Sequence, residues 1–466
     1  MAGKRKKESG LTLEERLKRA LVPEEEQPYH VPENWVWTRL DEINHFFSQT
    51  LNPATRPEQI FELYSVPSCE NNFPEIVLGS EIGSSKQYVL KNDILLCKIN
   101  PRINRVWIVT GHTDHSYLAS SEWIVVRTTQ CNPRYLLWLF QGPYFREQML
   151  SNVSGVGGSL MRAQPKWVNR YMLPIPPGQE QERIVDRIES LFAKLDEAKE
   201  NAQTAVDSFE TRKAAIFRYA FSGMMTSQWR VANGVDENSW EDSCLGKWLE
   251  NIEAGRSLRC EERPPVGNEW GIIKVSAVTW GEFNQNESKT CLSESDKKEE
   301  YLIRPGDFLF SRANTIQLVG ACVIVDQLEK TLMLSDKILR FSFLSGILPK
   351  FVLYFLRSRS ARQEIELLSS GNQESMRNIG QANIKKIKIF VPTYGEQQEI
   401  VRILDDLLAK EQKAKEAAAA VLERIDLIKK SILARAFRGE LGTNDPSEES
   451  AVELLKQCLA EGEVVP

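Results

Sequence analysis

The sequence is poor in the residues that build metal sites and disulfide frameworks. Its 466 residues include only four histidines, and its eight cysteines never fall in a CxxC pair. Zinc sites and disulfide scaffolds need tighter clusters than this. His112 and His115 lie close together in "GHTDH", but no cysteine or further histidine stands at ligand spacing. We therefore expect a polar loop there, no bound metal, and reduced cysteines.

Long apolar runs are also missing. No stretch approaches 18 uncharged apolar residues, which argues against a membrane span. The start, "MAGKRKKESG", is basic and polar with no apolar run behind it, unlike a secretory signal. We expect a cytoplasmic protein. The formal net charge of −5 excludes a uniformly basic coat but leaves room for a local DNA-binding face.

What the sequence does contain is an internal repeat. "LPIPPGQEQERIVDRIESLF" (Leu173–Phe192) is echoed by "IFVPTYGEQQEIVRILDDLL" (Ile389–Leu408), with a shift of 216 residues between the two Glu-Gln pairs. The same shift superposes Pro133, Tyr135, Gly155, Ser159, Phe221 and Gly223 on Pro349, Phe351, Gly371, Ser375, Phe437 and Gly439. Upstream, a shift of 214 superposes Asp93, Lys98 and Asn100 on Asp307, Arg312 and Asn314. "PENWVWTRL" resembles "DENSWEDSCL", since Trp35 to Leu40 and Trp240 to Leu245 have equal spacing. The chain is therefore predicted to be two tandem units, each a globular part followed by a long helix.

Both predicted helices carry a heptad pattern of apolar residues, which is typical of a coiled coil. The first pattern skips a step at Arg212, and the second is broken at Glu411. Thr393 to Glu396 fits a capping box, and Gly223 and Gly439 fit helix stops. An unbroken helix of this length spans about 65 Å at ~1.5 Å per residue. That is close to two turns of B-DNA at roughly 34 Å each, which favours a spacer over a plain hairpin.

The junctions, the helix endings "RYAFSGMM" and "ARAFRGELG", and "PENWVWTRL" together resemble the specificity subunit of type I restriction-modification enzymes. The resemblance covers nearly the whole chain. It implies an α/β (α+β) fold, in which two target recognition domains are joined by two helices packed as an antiparallel coiled coil. The predicted segments are an N-terminal extension with a short helix (1–28), recognition domain 1 (29–175), spacer helix 1 (176–225), recognition domain 2 (226–391), spacer helix 2 (392–440) and a C-terminal tail with a short helix (441–466).

The resemblance further implies a phage-defence function. Each recognition domain is expected to read one half of a split, asymmetric site in double-stranded DNA. The chain itself is expected to be non-catalytic and to hold no cofactor. The expected partners are two modification subunits, which use S-adenosylmethionine to methylate adenine, and restriction subunits that use ATP and Mg where they are present. Because the family's units are commonly circularly permuted, the two ends of the chain are expected to lie near one another.

The alternative is a solitary, duplicated DNA methyltransferase or nuclease. "NPRY" (Asn132–Tyr135) resembles the signature with which amino-methyltransferases hold a flipped base. However, its third residue is Arg134, and its repeat partner begins with Leu348 instead of asparagine. We instead predict a helix that starts at Pro133 and buries Leu136, Leu137, Leu139 and Phe140. "GVGGS" lacks the lysine and the Ser or Thr of a phosphate-binding P-loop.

DNA-binding candidates come from windows rich in cations and side-chain amides. Cations neutralise phosphates, while Arg and Asn make paired hydrogen bonds to guanine and adenine. The candidates in the first copy are Lys98, Asn100, Arg102, Arg105, Arg162, Gln164 and Lys166, in windows that also contain Lys86, Lys91, Ser159 and Asn169. Those in the second copy are Arg312, Asn314, Gln317, Arg377, Asn378, Gln381 and Lys385. Residues that recur in both copies are expected to have a common structural role, such as positioning a phosphate. Residues that differ between the copies are expected to read different bases.

Overall fold

The computed structural model of the chain describes residues 11–154, 161–373 and 376–461. It divides into two compact units. We call the part up to Ala202 together with the part from Ala420 onward the first unit, and Gln203–Ala419 the second unit. Each unit combines a globular part with a portion of both long helical segments. The segment boundaries given above stay a prediction, because these compact units cut across the helices.

Helices make up the junctions and the two long arms. Within the described residues the α-helices are α1 Leu13–Ala20, α2 Leu40–Ile43, α3 Pro133–Gln141, α4 Pro143–Ser151, α5 Pro165–Val168, α6 Gly178–Asp207, α7 Phe209–Phe221, α8 Ser227–Asn233, α9 Pro349–Leu356, α10 Arg359–Leu368, α11 Gln381–Ile384, α12 Tyr394–Ala436 and α13 Ala451–Glu461. None of them is both long and apolar enough to cross a lipid bilayer.

Short strands build the globular part of each unit. In the first unit they are β1 Val36–Arg39, β2 Thr50–Leu51, β3 Ile60–Tyr64, β4 Glu75–Leu78, β5 Lys86–Tyr88, β6 Ile94–Cys97, β7 Val106–Ile108, β8 Ser116–Ala119, β9 Trp123–Val126, β10 Val153–Ser154, β11 Arg162–Ala163 and β12 Met172–Ile175. In the second they are β13 Glu241–Cys244, β14 Leu249–Ala254, β15 Trp270–Ile273, β16 Ser288–Thr290, β17 Phe308–Ser311, β18 Ala313–Asn314, β19 Cys322–Ile324, β20 Thr331–Met333, β21 Ile338–Phe343, β22 Ser370–Gln373, β23 Met376–Asn378 and β24 Lys388–Val391.

The first unit contains a mixed five-stranded sheet in the order β2-β5-β8-β3-β4 and a three-stranded sheet in the order β7-β6-β9. β3 and β8 run parallel, and the other neighbours are antiparallel. Two short antiparallel pairs, β1-β12 and β10-β11, complete it. One hydrophobic core joins Leu136 of α3, Ile184 of α6, Leu433 of α12 and Leu455 of α13. Both ends of the chain therefore contribute to this core.

The second unit repeats this plan with local differences. Its sheets have the orders β14-β21-β17-β19, β16-β15-β20 and β18-β23-β22, with β13 paired to β24. Its core joins Phe217 of α7, Phe351 of α9 and Ile400 of α12. The β13-β24 pair matches Glu241 with Val391, just as the β1-β12 pair matches Val36 with Ile175. These tandem units of mixed helices and sheets confirm the α/β (α+β) expectation.

The repeated glutamine has the same role at the start of α6 and of α12. Gln181 Oε1 accepts the N–H of Asn132 at 2.8 Å, and Gln397 Oε1 accepts the N–H of Leu348 at 2.7 Å. Each side-chain amide also donates to the carbonyl of the proline five residues before it, at 3.0 Å. Both glutamines are fully buried. Because a side-chain amide donates and accepts at once, it ties each strand-to-helix corner to the start of a neighbouring helix.

The repeated glutamate closes the same junction. Glu180 Oε2 accepts from Trp35 Nε1 at 2.7 Å and from Asn444 Nδ2 at 2.9 Å. Glu396 Oε1 accepts from Trp240 Nε1 at 3.1 Å. Burial raises the pKa of Glu180 above its ordinary value. The recurring Trp-led segment is therefore the hydrogen-bond donor to the recurring carboxylate in each unit.

The long helices pair antiparallel within each unit. In the first unit Asp196 Oδ1 meets Lys429 Nζ at 2.5 Å, and Lys199 Nζ meets Asp426 Oδ1 at 4.0 Å. Residue numbers rise along α6 as they fall along α12, as an antiparallel pair requires.

The two exceptions to the heptad pattern meet one another in the second unit. Arg212 Nε lies 2.7 Å from Glu411 Oε2. Nearby, Ser208 separates α6 from α7, and its hydroxyl donates to the carbonyl of Thr204 at 2.6 Å. Such side-chain bonds compete with the helix backbone. The first helical arm is consequently interrupted once, whereas α12 is continuous.

The predicted helix stops are confirmed, and the predicted capping box is half formed. Gly223 and Gly439 have φ values of 77° and 74°, a conformation that glycine adopts without steric cost. Thr393 Oγ1 accepts the N–H of Glu396 at 3.4 Å, as in a capping box. The Glu396 carboxylate does not complete the box, because it is buried against Trp240.

The terminal helices α1 and α13 pack together in the first unit. The Arg16 guanidinium donates to the carbonyl of Leu459. This contact agrees with the expectation that the two ends of the chain lie near one another. In the second unit, Cys260 and Cys291 are distant in sequence, yet their Sγ atoms lie 3.2 Å apart as free thiols.

Candidate nucleic-acid interface

Three separate stretches of the first unit meet around Lys98 and Asn100. The N–H of Ala163 donates to the Lys98 carbonyl at 2.8 Å, and the N–H of Asn100 donates to the Met161 carbonyl at 2.8 Å. An antiparallel bridge joins Ile99 to Arg162, and β10 pairs with β11 on the far side. Candidates some 60 residues apart in the sequence are thus side by side.

The second unit forms the same arrangement from β18, β23 and β22. The N–H of Ile379 donates to the Arg312 carbonyl at 2.9 Å. Ala313 pairs with Asn378, and Asn314 pairs with Arg377. We call residues 98–100 with β10 and β11, and residues 312–314 with β22 and β23, the hairpin platforms. The loops at residues 155–160 and 374–375, which include Gly155, Ser159 and Ser375, lie outside the described residues.

The two platforms share a backbone frame but carry different side chains. Ala163 and Ile379 make the equivalent bond to Lys98 and Arg312, so both copies keep a cation at that place. The residue just before that donor is Arg162 in the first platform and Asn378 in the second. Both of these side chains are exposed. This is the pattern expected for a common scaffold with different specificity at each copy.

A recurring aspartate stabilises the turn before the strand that leads into each platform. Asp93 precedes β6, which leads into Lys98, and its carboxylate binds the Arg127 guanidinium at 2.6 and 2.8 Å. Asp307 precedes β17, which leads into Arg312, and binds Arg340 at 3.2 Å. In both turns the carboxylate also accepts the N–H three residues earlier, at 2.8 and 2.9 Å. The repeated aspartates are therefore structural.

A short helix follows each platform, α5 in the first unit and α11 in the second. Gln164 occupies the N-cap position of α5, and Gln381 is the first residue of α11. Lys166 Nζ and the Arg170 guanidinium lie 5.3 and 5.4 Å from the centre of the Trp167 ring. Both cations are within range of cation–π attraction, so they stay over a partly exposed ring.

Several candidates have side chains turned to solvent. The exposed candidates are Arg102, Arg162, Lys166, Gln317, Asn378, Gln381 and Lys385. Of these, Arg162 also pairs with Glu122 at 3.3 Å. Lys98, Asn100, Gln164, Arg312 and Asn314 are half-buried. Asn100 has a φ of 46°, and its buried Oδ1 has no hydrogen-bond partner within the described part of the chain. Arg312 Nε lies 3.5 Å from Asn378 Oδ1, so these two side chains share one site.

Other candidates are already engaged inside their unit. Arg105 pairs with Glu70 at 2.9 Å. The Arg377 guanidinium donates to the carbonyls of Gly371, at 2.7 Å, and Ser369, at 3.2 Å. Lys86 is only 9% exposed, and burial lowers the pKa of its ammonium group. In this arrangement their charged groups hold loops together instead of facing solvent. The candidate set as a whole stays a prediction.

Asn132 of the methyltransferase-like "NPRY" segment is a helix cap. Its Oδ1 accepts the N–H groups of Arg134 and Tyr135 at 2.9 and 3.4 Å, and α3 starts at Pro133 as expected. Tyr135, Leu136, Leu139 and Phe140 are buried, whereas Leu137 is only half-buried. The prediction for Leu137 was therefore wrong, because Tyr135 takes its place on the inner side.

The "GHTDH" loop is anchored by a buried carboxylate. Glu62 is fully buried and accepts from Tyr64 Oη at 2.6 Å, His112 N at 3.0 Å and Thr113 N at 2.8 Å. Burial opposes its ionisation, but these hydrogen bonds outweigh burial and lower the pKa of Glu62. Burial and the Glu62 bond raise the pKa of Tyr64 to about 12. Within residues 11–154, 161–373 and 376–461, no group of three His, Cys, Asp or Glu residues is placed to hold a metal ion.

Trp167 and Arg170, which were not among the candidates drawn from the sequence, also belong to this surface. The signal was present in "KWVNR", where cations flank an aromatic residue at the spacing of one helical turn.

Comparison with known proteins agrees with this architecture. The family described as "Type I restriction modification DNA specificity domain" matches residues 32–205 and 239–423. The chain is 24% identical to the type I restriction enzyme EcoEI specificity subunit of Escherichia coli, over 83% of this chain and 79% of the relative. It is 27% identical to the EcoKI specificity subunit of E. coli strain K12, over 66% and 67%.

A solved structure shows the same fold. The HsdS subunit from Thermoanaerobacter tengcongensis superposes with a TM-score of 0.67 at 20% identity, covering 89% of this chain and all of that one. Since the family match spans both tandem units, the chain belongs to the type I restriction-modification DNA specificity family.

Proposed function

We propose that this chain is the DNA-reading subunit of a type I restriction-modification system, with each unit reading one half of a split, asymmetric target. The observation that carries the proposal is the hairpin platform, which occurs twice with one backbone frame and different exposed side chains. Both copies keep a cation at the Lys98 and Arg312 position, which suits a phosphate contact that sets the register. Arg162 and Asn378 differ at equivalent places and suit guanine and adenine edges.

The chain directs catalysis without performing it. Two modification subunits bind S-adenosylmethionine and methylate adenine at the sites that the chain selects. Restriction subunits that use ATP and Mg join the assembly where they are present. The relatives named above are specificity subunits of restriction enzymes, which supports this division of labour. The cap role of Asn132 removes the strongest argument for a methyltransferase in the chain itself.

The first test is reconstitution with the matching modification subunits. We expect the complete assembly to methylate adenine at one bipartite sequence, whereas the chain alone neither methylates DNA nor binds S-adenosylmethionine. Methylated positions are mapped across a genome that carries the system. Methylation by the purified chain alone would falsify the proposal.

Two variants separate positioning from base reading. Arg312→Ala should weaken binding to all sequences about equally, because a phosphate contact carries no sequence information. Asn378→Ala should cost ~1–3 kcal/mol and relax the choice of base at one position of one half-site. Asn268→Ala, at an exposed position of the second unit outside the platform, is the control. Equal effects of Asn378→Ala on target and scrambled duplexes would contradict a reading role.

A further inference from the structure

The first unit contains a second cationic site beside its hairpin platform. It is a pocket of about 560 Å³ at the base of α1. Four arginines, two carboxylates and one apolar residue line it: Arg16, Arg19, Arg39, Arg170, Asp41, Glu42 and Leu459. None of these arginines was among the candidates drawn from the sequence, because they come from three separate stretches.

The local fold brings those stretches together. An antiparallel bridge between Leu21 and Thr38 places the end of α1 beside β1, which ends at Arg39. The N–H of Asp41 donates to the carbonyl of Asn169 at 2.8 Å, next to Arg170. The pocket therefore rests on backbone bonds and does not depend on the conformation of a free loop.

The charges in the pocket do not balance. Arg39 pairs with Glu26 at 3.2 Å on the rim, and Arg16 donates to the carbonyl of Leu459. Among the residues that the structure describes, Arg19 and Arg170 pair with no carboxylate, and both are exposed. With Glu26 included, four guanidiniums stand against three carboxylates, which leaves a positive excess that a bound anion would relieve. Guanidinium groups bind phosphate oxygens through two parallel hydrogen bonds.

The position of the pocket favours the phosphates of DNA over a free anion. Arg170 lies over the Trp167 ring, and Lys166 lies over the same ring. Both Trp167 and Lys166 belong to α5, which directly follows the hairpin platform. A continuous series of cations therefore leads from the platform past α5 into the pocket.

Within the described residues of the second unit, two of the positions that line this pocket differ. In the β13-β24 pair, Cys244 stands opposite Lys388, where Arg39 stands opposite Met172 in the first unit. Two residues further on, Gly246 takes the place of Asp41. The described residues of the second unit therefore do not repeat the Arg39 and Asp41 positions of this pocket.

We propose that this arginine pocket binds the phosphodiester backbone of DNA just outside the half-site read by the first unit. The proposal rests on the proposed function and adds a contact that is independent of sequence and present on one side of the target only.

The test measures how affinity of the assembled complex depends on salt. Each phosphate contact contributes a slope of about −0.9 to log K against log salt. We expect Arg19→Gln to reduce the magnitude of the slope by about 0.9, and Arg19→Gln with Arg170→Gln by about twice that. Between 50 and 200 mM salt, the affinity of the wild type should therefore fall roughly tenfold more than the affinity of a variant that has lost two contacts. The matched control is Lys18→Gln, which removes an exposed cation of the same helix outside the pocket.

Trimming the duplex locates the contact. Removing the flank on one side of the target should lower wild-type affinity and leave the double variant unaffected, while trimming the other flank affects both equally. A double-variant slope equal to that of Lys18→Gln overturns the proposal. The proposal is also overturned if the double variant leaves the salt slope for DNA unchanged but abolishes binding of inorganic triphosphate. The pocket would then bind a free polyanion and not the DNA backbone. Wild-type complex that fails to prefer target over scrambled duplex refutes the proposed function instead.

Discussion

At the scale of single residues, several buried polar side chains are each held by more than one hydrogen bond. Glu62 loses contact with solvent and receives hydrogen bonds from Tyr64 and from the loop at His112 and Thr113. The glutamines at the starts of α6 and α12 each use the side-chain amide as a donor and as an acceptor at the strand-to-helix corner. Such groups are costly to bury alone and stable when all their bonds are made.

Glu62→Gln should destabilise the first unit by about 1.5–3 kcal/mol at neutral pH, because its hydrogen bonds to a charged acceptor are lost. The pKa of Glu62 is lowered in the folded chain. Its stabilisation is therefore present above the ordinary pKa of 4.5 and is lost as pH falls through the lowered folded value. Urea unfolding of wild type and variant across pH measures this. The exposed Glu58→Gln is the control, and a gap between Glu62→Gln and wild type that widened in acid would contradict the argument.

At the scale of elements, the local sequence pattern determines where the helical arms form, and tertiary packing determines which of their residues meet. The heptad spacing predicts two helices, and the glycine stops at Gly223 and Gly439 follow from local backbone preference. The pairing of Arg212 with Glu411 does not follow from either helix alone. Each residue interrupts the apolar heptad pattern of its own helix. The antiparallel alignment places the two charged side chains opposite one another, where they form an ion pair.

Lengthening both arms by one heptad tests the spacer function. Seven residues inserted into α6 and seven into α12 preserve the apolar pattern and add about 10 Å at ~1.5 Å per residue. We expect the gap between the two half-sites to grow by about three base pairs, at 3.4 Å each, with the bases at either side unchanged. Methylation mapping measures the gap. A seven-residue insertion after Gly234, outside both arms, should leave it unaltered, and an unchanged gap after the paired insertions would rule out a spacer.

At the scale of the whole molecule, the two units share the same set of stabilising contacts. The Trp-Glu bond, the glutamine side-chain bonds and the hairpin platform occur in both units, and in the first unit Asn444 adds a further hydrogen bond to Glu180. The first platform lies entirely within residues 98–163, and the second within residues 312–378. On the proposed function, specificity for the two half-sites is thus encoded in separate stretches of sequence.

Exchanging residues 29–172 for the same region of a relative should change one half of the target and leave the other intact. The physical reason is that this stretch contains the first platform and α5 but no residue of the second platform. Genome-wide mapping of methylated adenines reads out both halves at once. The reciprocal exchange of the second platform should alter the other half, and a single exchange that changed both halves would show that the units do not read independently.

Much of the architecture could be predicted because its signals are local or periodic. The heptads, the helix start at Pro133, the glycine stops and the repeat itself are legible from the sequence alone. The family resemblance added the expectation that each unit reads one half of a DNA site. The candidate interface was only partly accessible, since exposure is not a local property. Arg102 and Gln381 are exposed as the interpretation requires, whereas Arg377 and Lys86 are engaged in hydrogen bonds within their own units.

The sequence by itself determined that this protein is a tandem repeat with two helical arms, because a period of 3.5 residues and a shift of 216 are legible without a fold. Tertiary structure alone decided which side chains meet. Strand pairing across about 65 residues brought Lys98 to Arg162 and Arg312 to Asn378, and backbone bonds between three separate stretches assembled the arginine pocket around Arg19 and Arg170. Such convergence depends on long-range contacts, which no local pattern encodes.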